Sequence, residues 1–499
     1  MTPPEPAGIF ETHSAVVVFF GNCAYKVKKP VDLGFLDFRS RAARESACHR
    51  EVELNRRLAP DVYLGVSDVL DPDGEVCDHL VVMRRMPVER RLSVLARTGL
   101  DLDREVRLIA HQVATLHGRS ERTASADAAA TADATQGRWQ VNTRNLLEHA
   151  PDIVDASMVD AVQMLAGRYL DGRGPLFDER IGDGRAVDGH GDLLADDIFC
   201  LDDRPRILDC IEFDDALRLG DGLSDAAFLA MDLERLGRPD LAEQFLAAYR
   251  EATADSWPAS LEHHHIAYRA QVRAKVAAIR AAQGDPASLA DARQHLQQAH
   301  AHLVAGRVQL VLVGGLPGTG KSTLAAGLER ELGMCVIRSD ELRKAFGPSP
   351  SWTQDEMDFC RGLYAPAVTD ATYERMRGEA EVVLSLGESV VLDASWSDPK
   401  QRHLARVLAT SLHADLLELR CELPEEVAIE RLRSRMSAGD DASDATPAIA
   451  ALMAARAAPW PEARTVDSMD ASSALAQAVG VITSAPPPNR SRRVRGAAL

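Results

Sequence analysis

The sequence lacks several things, and each absence removes a class of protein. No stretch reaches the ~18 consecutive apolar residues of a membrane span, and the opening MTPPEPAGIFE has neither the basic start nor the apolar core of a secretory leader. The expectation is a cytoplasmic protein. The eight cysteines, Cys23, Cys48, Cys77, Cys200, Cys210, Cys335, Cys360 and Cys421, form no CxxC pair, and a chain of 499 residues needs no disulfide staples. They read as reduced thiols, mostly buried. Positive charge is also short, with 57 Lys and Arg against 75 Asp and Glu and a formal net charge of −18. That field repels nucleic acid and anionic membrane, which moves the expected partner toward a small molecule.

What is present is enough apolar material, 46% of residues, to build real cores, in a chain too long for one of them. Two β-rich runs, AVVVFF and CAYKVKK, flank Gly21-Asn22, a two-residue hairpin signal. Ser40 to Leu58 carries Ala47, Val52, Leu54 and Leu58 at helical spacing, and LVVMRRMP from Leu80 is strand-like before helix-rich sequence from Leu92 to His117. Sheet, connecting strand and then helices suit a two-lobed α+β domain. TASADAAATADATQ, residues 123–136, has little to bury and reads as a flexible insert of about 120–138. Helical patterning runs to Ala282, breaks at QGDP and resumes from Ala287 to Val304. The predicted organisation is therefore 1–303, 304–485 and a solvated basic tail, 486–499, for which a nucleic-acid arm is the alternative reading.

In the second domain VQLVLVGGLPGTGKST places an apolar strand before a glycine-rich turn and a helix, the context in which GxxxxGK[ST] has meaning. Gly315, Gly320, Lys321 and Ser322 stand at the required positions, with Pro317, Gly318, Thr319 and Thr323 completing the candidate phosphate cradle. Backbone N–H groups and the helix N-terminus would hold phosphates, Lys321 would reach the β- and γ-phosphates, and Ser322 would ligate Mg²⁺. Downstream, CVIRSDELRKAFG is a strand ending at Asp340, with Arg343 and Lys344 on the helix that follows. A carboxylate at that edge of a parallel sheet is placed to take a substrate hydroxyl proton, or else to cap the helix. SVVLDASW is a third strand carrying Asp393, the expected holder of Mg²⁺. Arg431 and Arg435, four apart on a helix before the loop ending at Ala445, have the pattern of a cationic lid. This half resembles the small P-loop kinases related to polynucleotide kinase, gluconate kinase, chloramphenicol phosphotransferase and zeta toxins. The resemblance implies transfer of phosphate from ATP to a hydroxyl, with Asp340 as candidate base. No sensor or arginine-finger segment supports a motor ATPase.

The first domain contains HGDLLADDIF, in which Asp192 precedes Asp197 by five residues, followed by a turn at Asp202 to Pro205 and RILDCIEF. Catalytic carboxylate, metal ligand, hairpin and second metal-binding acid is the order a kinase-like phosphotransferase needs. Asp192 would take the acceptor proton, and Asp197 and Glu212 would hold Mg²⁺, with Asp209 as a fallback ligand. Lys26 and Lys28 share a face of their strand and either could reach the phosphates; Lys26 is favoured, with Glu51 as its helical partner. His263, His264 and His265 point in three directions and make a poor metal site.

This segment resembles the aminoglycoside phosphotransferases of the protein-kinase-like fold, through HGDL, DCIEF and Asp221 and Asp225. It departs in carrying Asp197 where that family has Asn, Glu212 where it has Asp, and no GxGxxG before Lys26. The whole chain resembles a bacterial bifunctional fusion of an aminoglycoside-phosphotransferase-like domain with a P-loop kinase domain. The resemblance implies a cytoplasmic ATP·Mg²⁺ enzyme phosphorylating a hydroxylated small molecule. A nucleotide-sensing regulator with an amino-terminal pseudokinase and an RNA-end kinase are the rival readings.

Overall fold

The computed structural model describes residues 8–12, 14–32, 36–149, 155–345, 366–438 and 446–484. Two units divide the chain: one comprises Met1–Gln163, Phe177–Trp257 and Glu262–His302, the other Met164–Leu176, Pro258–Leu261 and Leu303–Leu499. The expected basic tail and the lid loop after Ala438 lie outside the described residues.

The first unit begins with an antiparallel sheet of β1 (Gly8–Glu11), β2 (Ala15–Phe20), β3 (Cys23–Lys28), β4 (Tyr63–Leu70) and β5 (Val76–Arg84), in the order β1-β2-β3-β5-β4. The Gly21-Asn22 turn joins β2 to β3, with Gly21 at a φ of 57°. The helix Arg41–Asn55 is capped by Ser40, whose hydroxyl accepts from the Ala43 N–H at 3.1 Å. It lays Cys48 and Val52 against Val62, Tyr63 and Val81 of the sheet. Each such side chain contributes roughly 1.5–3 kcal/mol on burial. Their spacing brings Glu51, one residue before Val52, into the same buried interface, where it is fully enclosed.

The rest of this unit is helical, apart from two short pairs, β6 (Ala186–Asp188) with β9 (Leu219–Asp221) and β7 (Ile198–Cys200) with β8 (Pro205–Ile207). These pairs hold the HGDL loop and the DCIEF segment. The alanine-rich stretch expected to be a flexible insert is ordered. It forms the helices Ala124–Ala130 and Ala132–His149. Ala126 and Ala130 pack on Ala186, and Trp139 is fully buried. Alanine is the best helix former, and its small side chain permits close approach to the β6–β9 pair; Thr123 caps the first of these helices through the Ala126 N–H.

The second unit is built on an all-parallel sheet of β10 (Gln309–Gly314), β11 (Cys335–Arg338), β12 (Val390–Asp393), β13 (Asp415–Glu422) and β14 (Arg464–Asp467), in the order β11-β12-β10-β13-β14. All six residues of β10 are buried, as expected for a central parallel strand covered on both faces. The helices Lys321–Leu332 and Ala471–Ser484 cover one face through Leu324, Leu328, Ala474, Ala478 and Ile482. Successive strands step from β10 to β11 on one side and later to β13 on the other, so the chain reverses at β10. Ligands of open α/β sheets bind at such a switch point, beyond the carboxyl ends of the strands.

Candidate active sites

At the carboxyl end of β10 the loop GLPGTG turns into the helix Lys321–Leu332. Gly315 and Gly318 have φ of 139° and 83°, and a Cβ on them would lie 2.7 Å from the Cys421 carbonyl and 2.6 Å from the Ala428 carbonyl. Conformation and space both demand glycine there. Thr319 Oγ1 donates to the Leu316 carbonyl at 2.8 Å, and Lys321 Nζ donates to that carbonyl at 3.0 Å. The loop thus holds the lysine tip over its own mouth. Gly320, Lys321, Ser322 and Thr323 line a cavity of about 360 Å³, closed on its far side by Arg431 and Ser468. Arg431 is fixed by two bonds, to the Ser468 and Met469 carbonyls at 3.1 and 2.9 Å. Arg435 follows one turn later on the helix Glu425–Ala438; its side chain lies outside the described residues.

Asp393 ends β12 beneath the loop and is buried. Burial pushes its carboxyl up, while Lys321, a hydrogen bond with Ser322 and Arg338 draw it down. Arg338 Nε lies 3.5 Å from it. A buried acid hydrogen-bonded to a hydroxyl beside the lysine of the glycine loop is a fitting donor set for Mg²⁺. Asp340 faces Asp393 closely enough to raise it electrostatically and is paired with Arg343 at 2.7 Å. Sequence reasoning missed a second cavity that the loop also lines, about 620 Å³, walled by Leu316, Trp396 and Trp460.

In the first unit, β3 presents Lys26 and Lys28 on one face, and Glu51 lies between them. Its oxygens are 2.9 Å from Lys26 Nζ and 2.5 Å from Lys28 Nζ, as ion pairs rather than directed hydrogen bonds. The two lysines then part company. Lys26 reaches Asp209 at 2.5 Å and keeps some exposure, whereas Lys28 is buried against Glu212.

Asp209 sits just after β8 in the left-handed region, at a φ of 65°, a strained conformation that clusters at functional sites. Its N–H donates to the Tyr63 hydroxyl at 3.1 Å. Lys26 holds its carboxyl below the usual range against the opposing effect of burial. The carboxyl of Asp197 is pushed well up by burial and then by Asp209 and Asp192. Asp197 therefore faces Asp209. Glu212, expected as its metal-binding companion, is turned instead toward Lys28 and Glu51, because it lies three residues beyond the strained turn that aims Asp209 into the site. In the sequence Asp209 stands as the fallback ligand, three residues before Glu212.

The catalytic-loop candidates are held from behind. Asp225 accepts from the His190 and Gly191 N–H groups at 2.8 and 2.7 Å and pairs with His117 at 3.0 Å, which in turn meets the Tyr249 hydroxyl at 2.8 Å. The His190 ring donates to the Leu208 carbonyl at 3.0 Å, tying the loop to the residue before Asp209. Asp192 lines this cleft with its carboxyl raised by burial and lowered by Arg273, whose Nη1 is 3.8 Å away. The three consecutive histidines do diverge: His263 meets His302, His264 accepts from Trp139, and His265 approaches Asp221. No helix among the described residues is long and apolar enough to cross a membrane.

Residues 310–460 match the model of a family described as AAA domain. Over 458 residues the chain is 44% identical to the uncharacterized protein Rv2004c of Mycobacterium tuberculosis and equally to the uncharacterized protein Mb2027c of Mycobacterium bovis, covering 92% of this chain and 91% of each relative. Among solved structures it is similar to a choline/ethanolamine kinase family protein from Mesorhizobium loti, at 14% identity over 60% of this chain and 88% of that one, with a TM-score of 0.39. It is also similar to the APS kinase CysC of Mycobacterium tuberculosis in complex with AMPPNP and APS, at 23% identity over 35% of this chain and 96% of that one, with a TM-score of 0.27.

Proposed function

The chain belongs to the same family as the mycobacterial protein Rv2004c, with an AAA domain matched over residues 310–460, and from that premise we propose that it is a fusion of a protein-kinase-like domain with a carboxyl-terminal P-loop kinase domain, an ATP·Mg²⁺-dependent phosphotransferase with two nucleotide sites, acting on a hydroxyl of a small molecule. The observation that carries the reading is the convergence of Lys321, Ser322 and buried Asp393 at the mouth of the glycine loop. Mg²⁺, when bound, supplies charge that offsets the phosphate oxygens.

In the P-loop half, Ser322 and Asp393 hold that ion, and Lys321 and the N–H groups of residues 315–323 orient the phosphates. Arg431 closes the nucleotide cavity. Asp340, oriented by Arg343, takes the proton of the acceptor hydroxyl. In the kinase-like half, Lys26, positioned by Glu51, contacts the phosphates, Asp197 and Asp209 hold the ion, and Asp192 is the base. Lys28 and Glu212 serve as the buried support for Glu51.

The test is transfer of labelled phosphate from ATP to a panel of hydroxylated compounds by the full chain. Loss of all transfer in a Lys321→Ala, Asp192→Ala double variant is expected, and transfer that survives it overturns the reading. A second reading, a nucleotide-sensing amino-terminal half without catalysis, is favoured by the carboxyl of Asp197, which burial and the charges of Asp209 and Asp192 push toward its neutral form. It predicts nucleotide binding but no transfer in Lys321→Ala. An RNA-end kinase is opposed by the charge of −18 and would show salt-dependent affinity for single strands.

A further inference from the structure

The helix Ala259–Ala282 carries Arg269, Arg273 and Arg280 at spacings of four and seven, on one face. That face is turned to the catalytic-loop carboxylate: Arg273 Nη1 is 3.8 Å from Asp192 Oδ1, and Arg269 and Arg280 both act on Asp192 electrostatically. Asp225 offsets Arg269 in part, which leaves Arg273 and Arg280 as the less compensated pair. Arg269 donates to the Ser224 carbonyl at 2.8 Å and lies over the rings of Phe228 and Tyr268. Arg280 has its Nε buried without a hydrogen-bond partner, with Asp285 and Asp291 as further opposing charges. The neighbouring Arg235 is already paired with Asp232 at 2.7 Å. Burial disfavours the charged state of Arg269 and Arg280, and it is the leading effect on each. Half-buried guanidinium groups turned toward one carboxylate form a site suited to an anion.

We propose that the amino-terminal site takes an acceptor that is itself anionic, a hydroxylated compound carrying a phosphate or carboxylate group, held by Arg273 and Arg280 so that its hydroxyl meets Asp192. The proposal rests on the reading of Asp192 as the base. The acceptor oxygen forms its bond to the γ-phosphorus as its proton passes to Asp192. The bond from that phosphorus to the β–γ bridging oxygen breaks, and ADP leaves with the electron pair. A polycationic acceptor of the aminoglycoside kind is disfavoured by repulsion from the same arginines. Planar guanidinium forks match the oxygens of phosphate and carboxylate in pairs.

The experiment uses the full chain with Lys321→Ala, so that only the amino-terminal site transfers. Glucose, glucose 6-phosphate, gluconate and kanamycin are compared as acceptors at saturating ATP. Transfer to the two anionic compounds is expected, with KM raised roughly ten-fold or more by Arg273→Gln or Arg280→Gln, the effect of one lost charge-assisted contact. Arg273→Lys should recover part of it, and KM for ATP should not move. Preference for glucose or kanamycin overturns the proposal. So does a KM change confined to ATP, which would assign the arginines to the γ-phosphate. Absence of transfer to every acceptor, with ATP binding intact, overturns the reading of Asp192 itself and takes the anionic acceptor with it.

Discussion

Lys26 Nζ and Asp209 Oδ1 lie 2.5 Å apart although 183 residues separate them in the chain. The lysine proposed to contact phosphate and the acid proposed to hold metal are therefore in one site, each satisfying the other's charge. Glu212, which shares the DCIEF segment, is paired with Lys28 instead. In a Lys321→Ala background, Asp209→Asn is expected to weaken ATP binding at saturating Mg²⁺ by on the order of ten-fold, the loss of one charge-assisted contact. Glu212→Gln should leave the Mg²⁺ dependence unchanged and lower stability by about 1–3 kcal/mol, because Lys28 loses a charged partner in an enclosed position. Calorimetry across a Mg²⁺ titration, with a denaturant melt of each variant, separates the two.

The count of nucleotide sites gives the next test. Lys321 bonds its own loop and supports no core, so Lys321→Ala should keep the melting temperature and reduce the ATP stoichiometry of the full chain from two to one. Unchanged stoichiometry would remove the P-loop assignment.

Asp340 offers a choice between chemistry and helix start. It stands in the first turn of the helix Ser339–Ala345, paired with Arg343. Replacement by Asn should preserve ATP binding and lower transfer through the P-loop half by about 10²- to 10⁴-fold if it is the base. Early melting with turnover per folded molecule intact would instead assign it to the helix.

The loop behind Asp192 should be sensitive to acid. Burial raises the Asp225 carboxyl, but the hydrogen bond and charge of His117, helped by Arg269 and His190, outweigh it and hold the folded value well below that of an ordinary carboxylate. A group depressed in this way adds stability above its unfolded value, ~4, and that stability is lost as pH falls through the folded value. Denaturant stability of the wild type should therefore drop more steeply between pH 5 and pH 3 than that of Asp225→Asn, whose side chain does not titrate. Parallel curves for the two would show that Asp225 does not carry the acid response.

The contiguous motifs were legible because their chemistry is local. GLPGTGKST specifies a loop by glycine conformation and a helix start by sequence alone, and HGDL followed by a hairpin fixes the order of acids without reference to anything distant. The parallel sheet followed from apolar strands alternating with helices. Tertiary structure decided which acid serves which cation. Asp209 and Glu212 are three residues apart in a segment with no helical period, and only the left-handed turn at Asp209, braced by Tyr63 from another strand, sends them to different lysines. The division of labour between Lys26 and Lys28, which one strand face offers equally, depends on a helix and a hairpin that arrive from elsewhere in the chain. The alanine-rich segment was read as mobile because its own side chains bury little. Its order comes from Trp139 and from the small strands on which Ala126 and Ala130 close, contacts that composition does not record. The sequence alone determined the type of chemistry at each loop; long-range packing, which sets charge against charge, decided the roles within each site.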